Sequence, residues 1–171
     1  MKLIGISGKM GVGKTTAAKY LTDHYGFVEV SFADKIKEMV AVLCGVDKIL
    51  LNNQDFKNSP SPFGCTYRHL LQTLGTNWGR DLIDSDIWIT AALNNITTPT
   101  VISDVRFRNE AHIIGAKGGI LIRIERDMER GGEIHNHPSE TALDDFPFFH
   151  YTIYNNGTID DLYEKLGTIM L

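Results

Sequence analysis

A glycine-rich stretch near the start of the chain, GISGKMGVGKTT at residues 5–16, constrains the fold more than any other feature. Residues 8–15 within it match the pattern G-x-x-x-x-G-K-[ST] in full. Glycines permit a sharp turn in which successive amide N–H groups point inward at an anion. An apolar run precedes the pattern and a helix-like segment follows it, which favours a phosphate-binding loop over an ordinary turn at a helix start. The stretch therefore predicts a site for a nucleoside triphosphate, without indicating what the triphosphate is used for.

Two oxygen-bearing side chains are candidate ligands for Mg²⁺. In a loop of this pattern the lysine, here Lys14, reaches the terminal phosphates, and the following hydroxyl, here Thr15, ligates Mg²⁺. Asp104 ends a short apolar run, TVISD, which is where an enzyme with this loop places a magnesium-binding carboxylate. The alternative for Asp104 is a residue that only terminates the strand or caps a helix.

Composition excludes several classes of protein. The 171 residues are 43% hydrophobic and 22% charged, which is ordinary for one globular domain. A formal net charge of −4 argues against a protein that grips long nucleic acid. No apolar run is long enough to span a membrane, and the strand-and-loop start leaves no room for a signal peptide. Cys44 and Cys65 lack metal-site spacing, so we expect reduced thiols in a cytoplasmic protein.

Strands and helices alternate along the chain. The apolar and alternating runs predict strands over residues 2–7, 27–32, 100–104, 119–124 and 151–154. Helices are predicted over residues 14–24, 33–43, 66–75, 84–95, 107–115 and 158–169. This alternation is typical of an α/β protein whose five-stranded parallel sheet is covered by helices on both faces, in three layers. Ligands of such folds bind at the carboxyl ends of the strands.

The chain reads as one domain over residues 1–171 with two less regular segments. Residues 45–64 contain Asn-Asn and two Ser-Pro pairs, which predicts a mobile insertion. Residues 126–138 are polar and charged, which favours a lid. His135 and His137 lie in that segment, but without a third ligand their spacing is weak support for a metal site.

The arginines favour phosphate chemistry. All seven lie between positions 68 and 130, a span with a single lysine: Arg68, Arg80, Arg106, Arg108, Arg123, Arg126 and Arg130. A guanidinium makes paired hydrogen bonds to phosphate and stabilises charge on a phosphoryl group in transfer. Arg68 and Arg106 adjoin the predicted ends of strands or helices, which favours a role in a phosphate site. Arg108, Arg123 and Arg130 are as compatible with a solvated surface as with such a site.

The residue types also bear on the phosphoryl acceptor. A monophosphate is largely ionised at neutral pH, so as an acceptor it needs no protein base, but it does need cations. No histidine is evidently placed as a base, which favours transfer from phosphate to phosphate. Asp34 is compatible with capping a helix, with contacting the substrate, or with both. Trp88 is compatible with stacking on a base or with a place in the core.

Nearly the whole chain resembles the phage-type deoxynucleoside monophosphate kinases, relatives of the nucleoside monophosphate kinases. The resemblance rests on the loop and on SFADKIK (31–37), YRHLLQTLGTNWGRDL (67–82), DIWI (86–89), VISDVRFRNEA (101–111), HPSETALDDF (137–146) and NNGTIDDLYEKL (155–166). The later motifs are also similar to the animal-type phosphomevalonate kinases. That resemblance also implies a kinase whose acceptor is a phosphate group, but on a different acceptor molecule.

The resemblance implies a set of site residues. The donor phosphates would be held by Gly11, Val12, Gly13, Lys14, Thr15 and Thr16. Arg68 would hold the acceptor phosphate, with Asp34 and Gln72 near the acceptor nucleotide and Trp88 against its base or sugar. Asp104 and Arg106 would flank the reacting phosphates. Arg126 and Arg130 match the lid region, where such kinases deliver arginines that stack on adenine.

We therefore expect a P-loop kinase that uses ATP and Mg²⁺ to convert deoxynucleoside monophosphates into diphosphates. Its partners would be these nucleotides, with no nucleic acid and no membrane, and both a monomer and a homodimer are open. A phage-encoded enzyme would work in the host cytoplasm. The alternatives are a kinase for another metabolite, of the phosphomevalonate or dephospho-coenzyme A type, and a nucleotide switch without transfer activity.

Overall fold

Five parallel strands form one sheet in the part of the chain that the computed structural model describes, residues 2–94, 96–127 and 141–171. The strands are β1 (Leu3–Ser7), β2 (Val28–Val30), β3 (Thr100–Val105), β4 (Ile120–Glu125) and β5 (Tyr151–Tyr154). Their order across the sheet is β2-β3-β1-β4-β5, so β1 is central, with Ile4 opposite Val101 on one side and Ile120 on the other. The predicted parallel α/β sheet is confirmed.

The chain divides into two compact units. The sheet unit comprises Met1–Ser31 and Ile96–Leu171, and the helical unit comprises Phe32–Asn95. The sheet unit contains all five strands and the helices α1 (Lys14–Tyr25), α6 (Arg108–Ala116) and α7 (Ile159–Met170). The helical unit contains α2 (Asp34–Cys44), a 3-10 helix (Lys48–Asn52), α3 (Gln54–Asn58), α4 (Tyr67–Gln72), a π-helical segment (Thr73–Ile83) and α5 (Ile87–Leu93). Within the described residues, no helix has the length and apolarity that crossing a bilayer requires.

The core of the sheet unit explains why these segments fold as they do. All five residues of β1 are buried, as expected for a central parallel strand that is covered on both faces. Helix α1 buries Ala17, Ala18 and Leu21, and α7 buries Leu162 and Leu166 against the same core. This packing fixes the residues that follow β1, because the strand before them and the helix after them are both held.

The helical unit departs most from the predicted helix bounds. Backbone bonding with an i→i+5 spacing continues from α4 over Thr73–Ile83, for example from the Asp84 N–H to the Gly79 carbonyl at 3.0 Å. Residues 45–64 contain the 3-10 helix and α3, and whether this segment moves stays a prediction. Gly79 packs on Trp88, where an added Cβ would lie 2.5 Å from the ring. Close packing of this kind ties the π-helical segment to α5.

The start of α7 carries a capping box whose stability depends on pH. Asp161 Oδ2 accepts hydrogen bonds from the Thr158 N–H at 2.7 Å and the Thr158 hydroxyl at 2.8 Å, and these bonds lower the pKa of Asp161 below its ordinary value of 3.8. A carboxylate with a lowered pKa contributes stability above its ordinary pKa and loses that contribution as pH falls through the lowered value. Asp161→Asn should therefore lower Tm at pH 7, and the difference from the unsubstituted protein should diminish as pH falls below the ordinary pKa of 3.8. A thermal melt series in pH checks this, and a difference that grows on acidification would contradict it.

Candidate functional site

The glycine-rich loop lies between β1 and α1 and ends at an open helix terminus. Gly13 is the N-cap residue of α1, its backbone is left-handed with φ 106°, and no side chain caps the helix there. The first N–H groups of an α-helix have no partners within the helix, and the helix dipole makes this end positive. The start of α1 is therefore a site at which backbone amides can bind an anionic phosphate.

The loop is packed tightly at both ends and is open in the middle. An added Cβ on Gly8 would lie 2.2 Å from the Ile124 carbonyl oxygen, and one on Gly13 would lie 2.6 Å from Asn155 Nδ2. Around Gly11 an added Cβ would meet no atom of the described residues within 4 Å. The ends of β4 and β5 thus support the loop from behind, while its middle can be approached by a ligand.

Lys14 is the first residue of α1, and its side chain turns back onto the loop. Its Nζ donates hydrogen bonds to the carbonyl oxygens of Gly8 and Lys9, each at 2.7 Å. The ammonium group is therefore held beside the backbone of the same loop whose amides surround the predicted phosphate position. Thr15 is exposed and Thr16 is half-buried, both in the first turn of α1.

Asp104 lies in β3, next to β1 in the sheet, and its carboxylate is half-buried. Its Oδ2 accepts a hydrogen bond from the Ser31 hydroxyl at 2.6 Å, which orients the carboxylate. The donor set of the predicted magnesium site is therefore a hydroxyl, Thr15, and a carboxylate, Asp104. Both are hard oxygen ligands, and Mg²⁺ commonly binds one or two protein oxygens together with water and substrate phosphates. The residues fit such an ion, and no cluster of three or more His, Cys, Asp or Glu ligands for another metal occurs in the described ranges.

Arg106 follows β3 directly, and sequence reasoning missed the residue that holds its backbone. The Glu110 side chain, 1% exposed, accepts hydrogen bonds from the Arg106 N–H at 2.7 Å and the Phe107 N–H at 2.9 Å. Glu110 sits in the first turn of α6, where the helix dipole favours its negative charge. The local signal is a glutamate three residues after the N-cap residue Phe107, a position from which a carboxylate reaches back to the N-cap N–H.

Two other arginines of the sheet unit are paired with carboxylates. Arg123 donates to Glu125 at 2.8 Å and to Asp144 at 3.2 Å, and Arg108 donates to Asp145. Their charges are therefore compensated inside the protein, which supports a structural role for both. Asp144 also lies 3.4 Å from Lys9, so these pairs attach residues 143–145 to the loop and to β4.

In the helical unit, Arg68 has a different environment. Its Nε donates to Asn58 Oδ1 at 2.7 Å, and one terminal nitrogen donates to Gln54 Oε1 at 2.8 Å. These partners are neutral amide oxygens, and no carboxylate within the described ranges pairs with Arg68. Hydrogen bonds of this kind orient a guanidinium without cancelling its charge, which leaves it suited to an anionic ligand.

The other predicted acceptor residues occupy varied positions in the helical unit. Trp88 is 2% exposed, and its indole N–H donates to the Gly75 carbonyl oxygen at 2.7 Å, so the structure places it in packing. Contact with a base, the other prediction for Trp88, would need the ring to become accessible. Asp34 is the first residue of α2, follows the N-cap Ala33, and lies 3.8 Å from Lys37. Gln72 is exposed at the end of α4.

Only part of the predicted lid falls within the described residues. Arg126 is exposed and follows β4, whereas Arg130, His135 and His137 lie outside the described residues.

Both cysteines, Cys44 and Cys65, are free thiols. Burial raises the pKa of Cys44, which keeps this thiol protonated at neutral pH.

Comparison with known proteins identifies similar sequences. Residues 46–166 match the sequence model of the deoxynucleotide monophosphate kinase family. The chain is 38% identical to the Acanthamoeba polyphaga mimivirus protein named "Putative deoxynucleotide monophosphate kinase", over 97% of this chain and 94% of that protein.

Solved structures of similar fold are also kinases. The dephospho-CoA kinase of Campylobacter jejuni aligns with a TM-score of 0.52 at 15% identity, and the shikimate kinase of Aquifex aeolicus with 0.50 at 11% identity. Each alignment covers 99% of this chain and 96% of the other. At these identities the likeness shows the P-loop kinase fold alone.

Proposed function

The chain belongs to the deoxynucleotide monophosphate kinase family, and from this premise we propose that it transfers the γ-phosphoryl group of ATP to a deoxynucleoside 5′-monophosphate, giving a diphosphate and ADP. The observation that carries the proposal is the guanidinium of Arg68, which within the described residues pairs with amide oxygens and with no carboxylate, in a chain that also has a complete phosphate loop. The loop accounts for the donor, and the unneutralised arginine accounts for a second anion.

The donor phosphates would lie against the loop amides and the start of α1, within the set Gly11, Val12, Gly13, Lys14, Thr15 and Thr16. Lys14 would exchange its bonds to the Gly8 and Lys9 carbonyls for bonds to phosphate oxygens. This exchange requires little movement, because the ammonium group already lies beside the loop. Thr15 and Asp104 would hold Mg²⁺, which supplies positive charge that neutralises the phosphates when bound.

The acceptor phosphate would be held by Arg68, with Asp34 and Gln72 near the rest of the nucleotide. Trp88 would contact its base or sugar only after its buried ring becomes accessible. An ionised oxygen of the monophosphate attacks the γ-phosphorus, and the bond from that phosphorus to the bridging oxygen of ADP breaks. No proton has to be removed, because the second pKa of a phosphate monoester is about 6. The protein's contribution is positioning and charge, with Arg106 and a lid arginine, Arg126 or Arg130, neutralising the transferring group.

The remaining expectations follow from this proposal. Closure of residues 45–64 and 126–138 over the substrates would exclude water and limit ATP hydrolysis. Small nucleotides would be the partners of the enzyme, as a monomer or as a homodimer, and the enzyme would work in the cytoplasm.

A panel of acceptors tests the proposed function. With ATP and Mg²⁺, we expect formation of a diphosphate from at least one deoxynucleoside monophosphate, read directly by chromatography of the products. Ribonucleoside monophosphates, phosphomevalonate and dephospho-coenzyme A form the other arms. Turnover confined to one of the metabolites would replace the proposal with that acceptor, and slow ATP hydrolysis that is indifferent to every acceptor would favour a nucleotide switch.

A further inference from the structure

Asn155 connects the end of β5 to the phosphate loop, 143 residues earlier in the chain. Its side chain is buried, with the residue 7% exposed, and Nδ2 donates to the Val12 carbonyl oxygen at 2.9 Å. Its own backbone N–H donates to the Glu125 carbonyl oxygen at the end of β4 at 2.7 Å. The amide group is therefore anchored by the sheet and holds the loop at one defined atom.

The position of that atom determines where a loop N–H points. A peptide group is planar and trans, so its carbonyl oxygen and the next N–H point in opposite directions. When Asn155 fixes the Val12 carbonyl on the buried side of the loop, the Gly13 N–H is directed to the opposite side. That N–H belongs to the set of amides that would face the donor phosphates.

The lack of a side chain at Gly13 is required by the contact between Asn155 and the loop. An added Cβ at Gly13 would lie 2.6 Å from Asn155 Nδ2, and φ of 106° is strained for any residue with a side chain. The absent side chain thus admits the asparagine, and the asparagine in turn holds the peptide. The neighbouring Asn156 has a separate role, since its side chain bonds to Asp127.

We propose that Asn155 is a positioning residue for ATP, which orients the Val12–Gly13 peptide so that the Gly13 N–H binds the donor phosphates. The proposal rests on the donor half of the proposed function and does not depend on which acceptor is used. The proposal predicts that removing the side-chain amide of Asn155 lowers the affinity for the phosphate chain of ATP. Contacts with the adenine and with the acceptor should stay unchanged.

The test compares Asn155→Ala with Thr158→Ala, a control that removes the cap of α7, where the Thr158 hydroxyl bonds to Asp161. Affinities for ATP, inorganic tripolyphosphate and adenosine are measured by calorimetry with Mg²⁺ and without acceptor, beside Tm. We expect Asn155→Ala to bind both ATP and tripolyphosphate about tenfold more weakly, which is about 1.4 kcal/mol. Adenosine binding should not change, and Thr158→Ala should lower Tm without lowering either phosphate affinity.

The isosteric variant Asn155→Asp provides a second test, which also covers a failure of Asn155→Ala to fold. A carboxylate cannot donate to the Val12 carbonyl, whereas a protonated carboxyl group can. Tripolyphosphate affinity of this variant relative to the unsubstituted protein should therefore rise as pH falls from 8 to about 5, because burial raises the pKa of a carboxyl group.

Three outcomes would overturn the proposal. In the first, Asn155→Ala binds ATP and tripolyphosphate as tightly as the unsubstituted protein does. In the second, Asn155→Ala weakens the binding of adenosine alone. In the third, Thr158→Ala weakens the binding of tripolyphosphate as much as Asn155→Ala does, with the two variants having the same Tm. Failure of the proposed function would look different, since an enzyme that phosphorylates no deoxynucleoside monophosphate would still show the tripolyphosphate difference.

Discussion

Lys14→Ala is expected to lower kcat by about 10³-fold while leaving Tm within a few degrees of the unsubstituted protein, because a preorganised cation aimed at a transferring phosphoryl group contributes on this scale. In the structure the Lys14 ammonium donates to the loop carbonyls of Gly8 and Lys9, and the helix that Lys14 begins is held in the core by Ala17, Ala18 and Leu21. Removing the ammonium therefore leaves the packing intact. Steady-state kinetics at saturating ATP and acceptor measure the effect.

Lys19→Ala is the matched control for this variant. Lys19 lies on the same helix and pairs with Asp23 at the surface, 69% and 48% exposed, so its loss should leave kcat unchanged. Near-normal turnover by Lys14→Ala would show that the loop is not the donor site. Equal losses in both variants would point to a general effect of charge on α1.

The sequence predicted those parts of the fold whose signals are local. The loop pattern, the continuous apolar run of β1 and the small residues Ala17 and Ala18 each specify one element and its buried face. Because strands that alternate with helices pair in parallel under crossover helices, the parallel sheet could be inferred without knowing any contact, whereas the order of its strands could not. The position of Asp104 near the carboxyl end of a strand was predicted from the apolar run, and the structure adds that this strand, β3, pairs with β1.

What the sequence could not supply are contacts between distant residues. The bond from Asn155 to Val12 spans 143 positions and the bond from Ser31 to Asp104 spans 73, and neither residue pair has a local pattern. Apolar residue type alone also does not identify the buried residues at a helix end, since Leu43 of α2 is 59% exposed. The π-helical segment Thr73–Ile83 was likewise not predicted, and the close packing of its Gly75 on Ile36 and of its Gly79 on Trp88 appears only in the tertiary structure.

Arg68→Ala is expected to raise KM for the acceptor monophosphate about 100-fold and to leave KM for ATP unchanged, because a charge-assisted pair of hydrogen bonds to phosphate is lost on one substrate only. Asn58 and Gln54 orient the guanidinium without neutralising it, so its charge is available to the acceptor. Arg68→Lys should recover only part of the loss, since an ammonium group keeps the charge but not the paired geometry.

Lys48→Ala controls for the loss of one positive charge from the same unit. Lys48 is 44% exposed and pairs with Glu38 at 3.2 Å, so we expect both KM values to stay unchanged in this variant. A rise in KM for ATP as large as that for the acceptor in Arg68→Ala would assign the arginine to the donor. An acceptor KM that did not move would remove Arg68 from the site, and the second anion of the proposed reaction would then need a different cation.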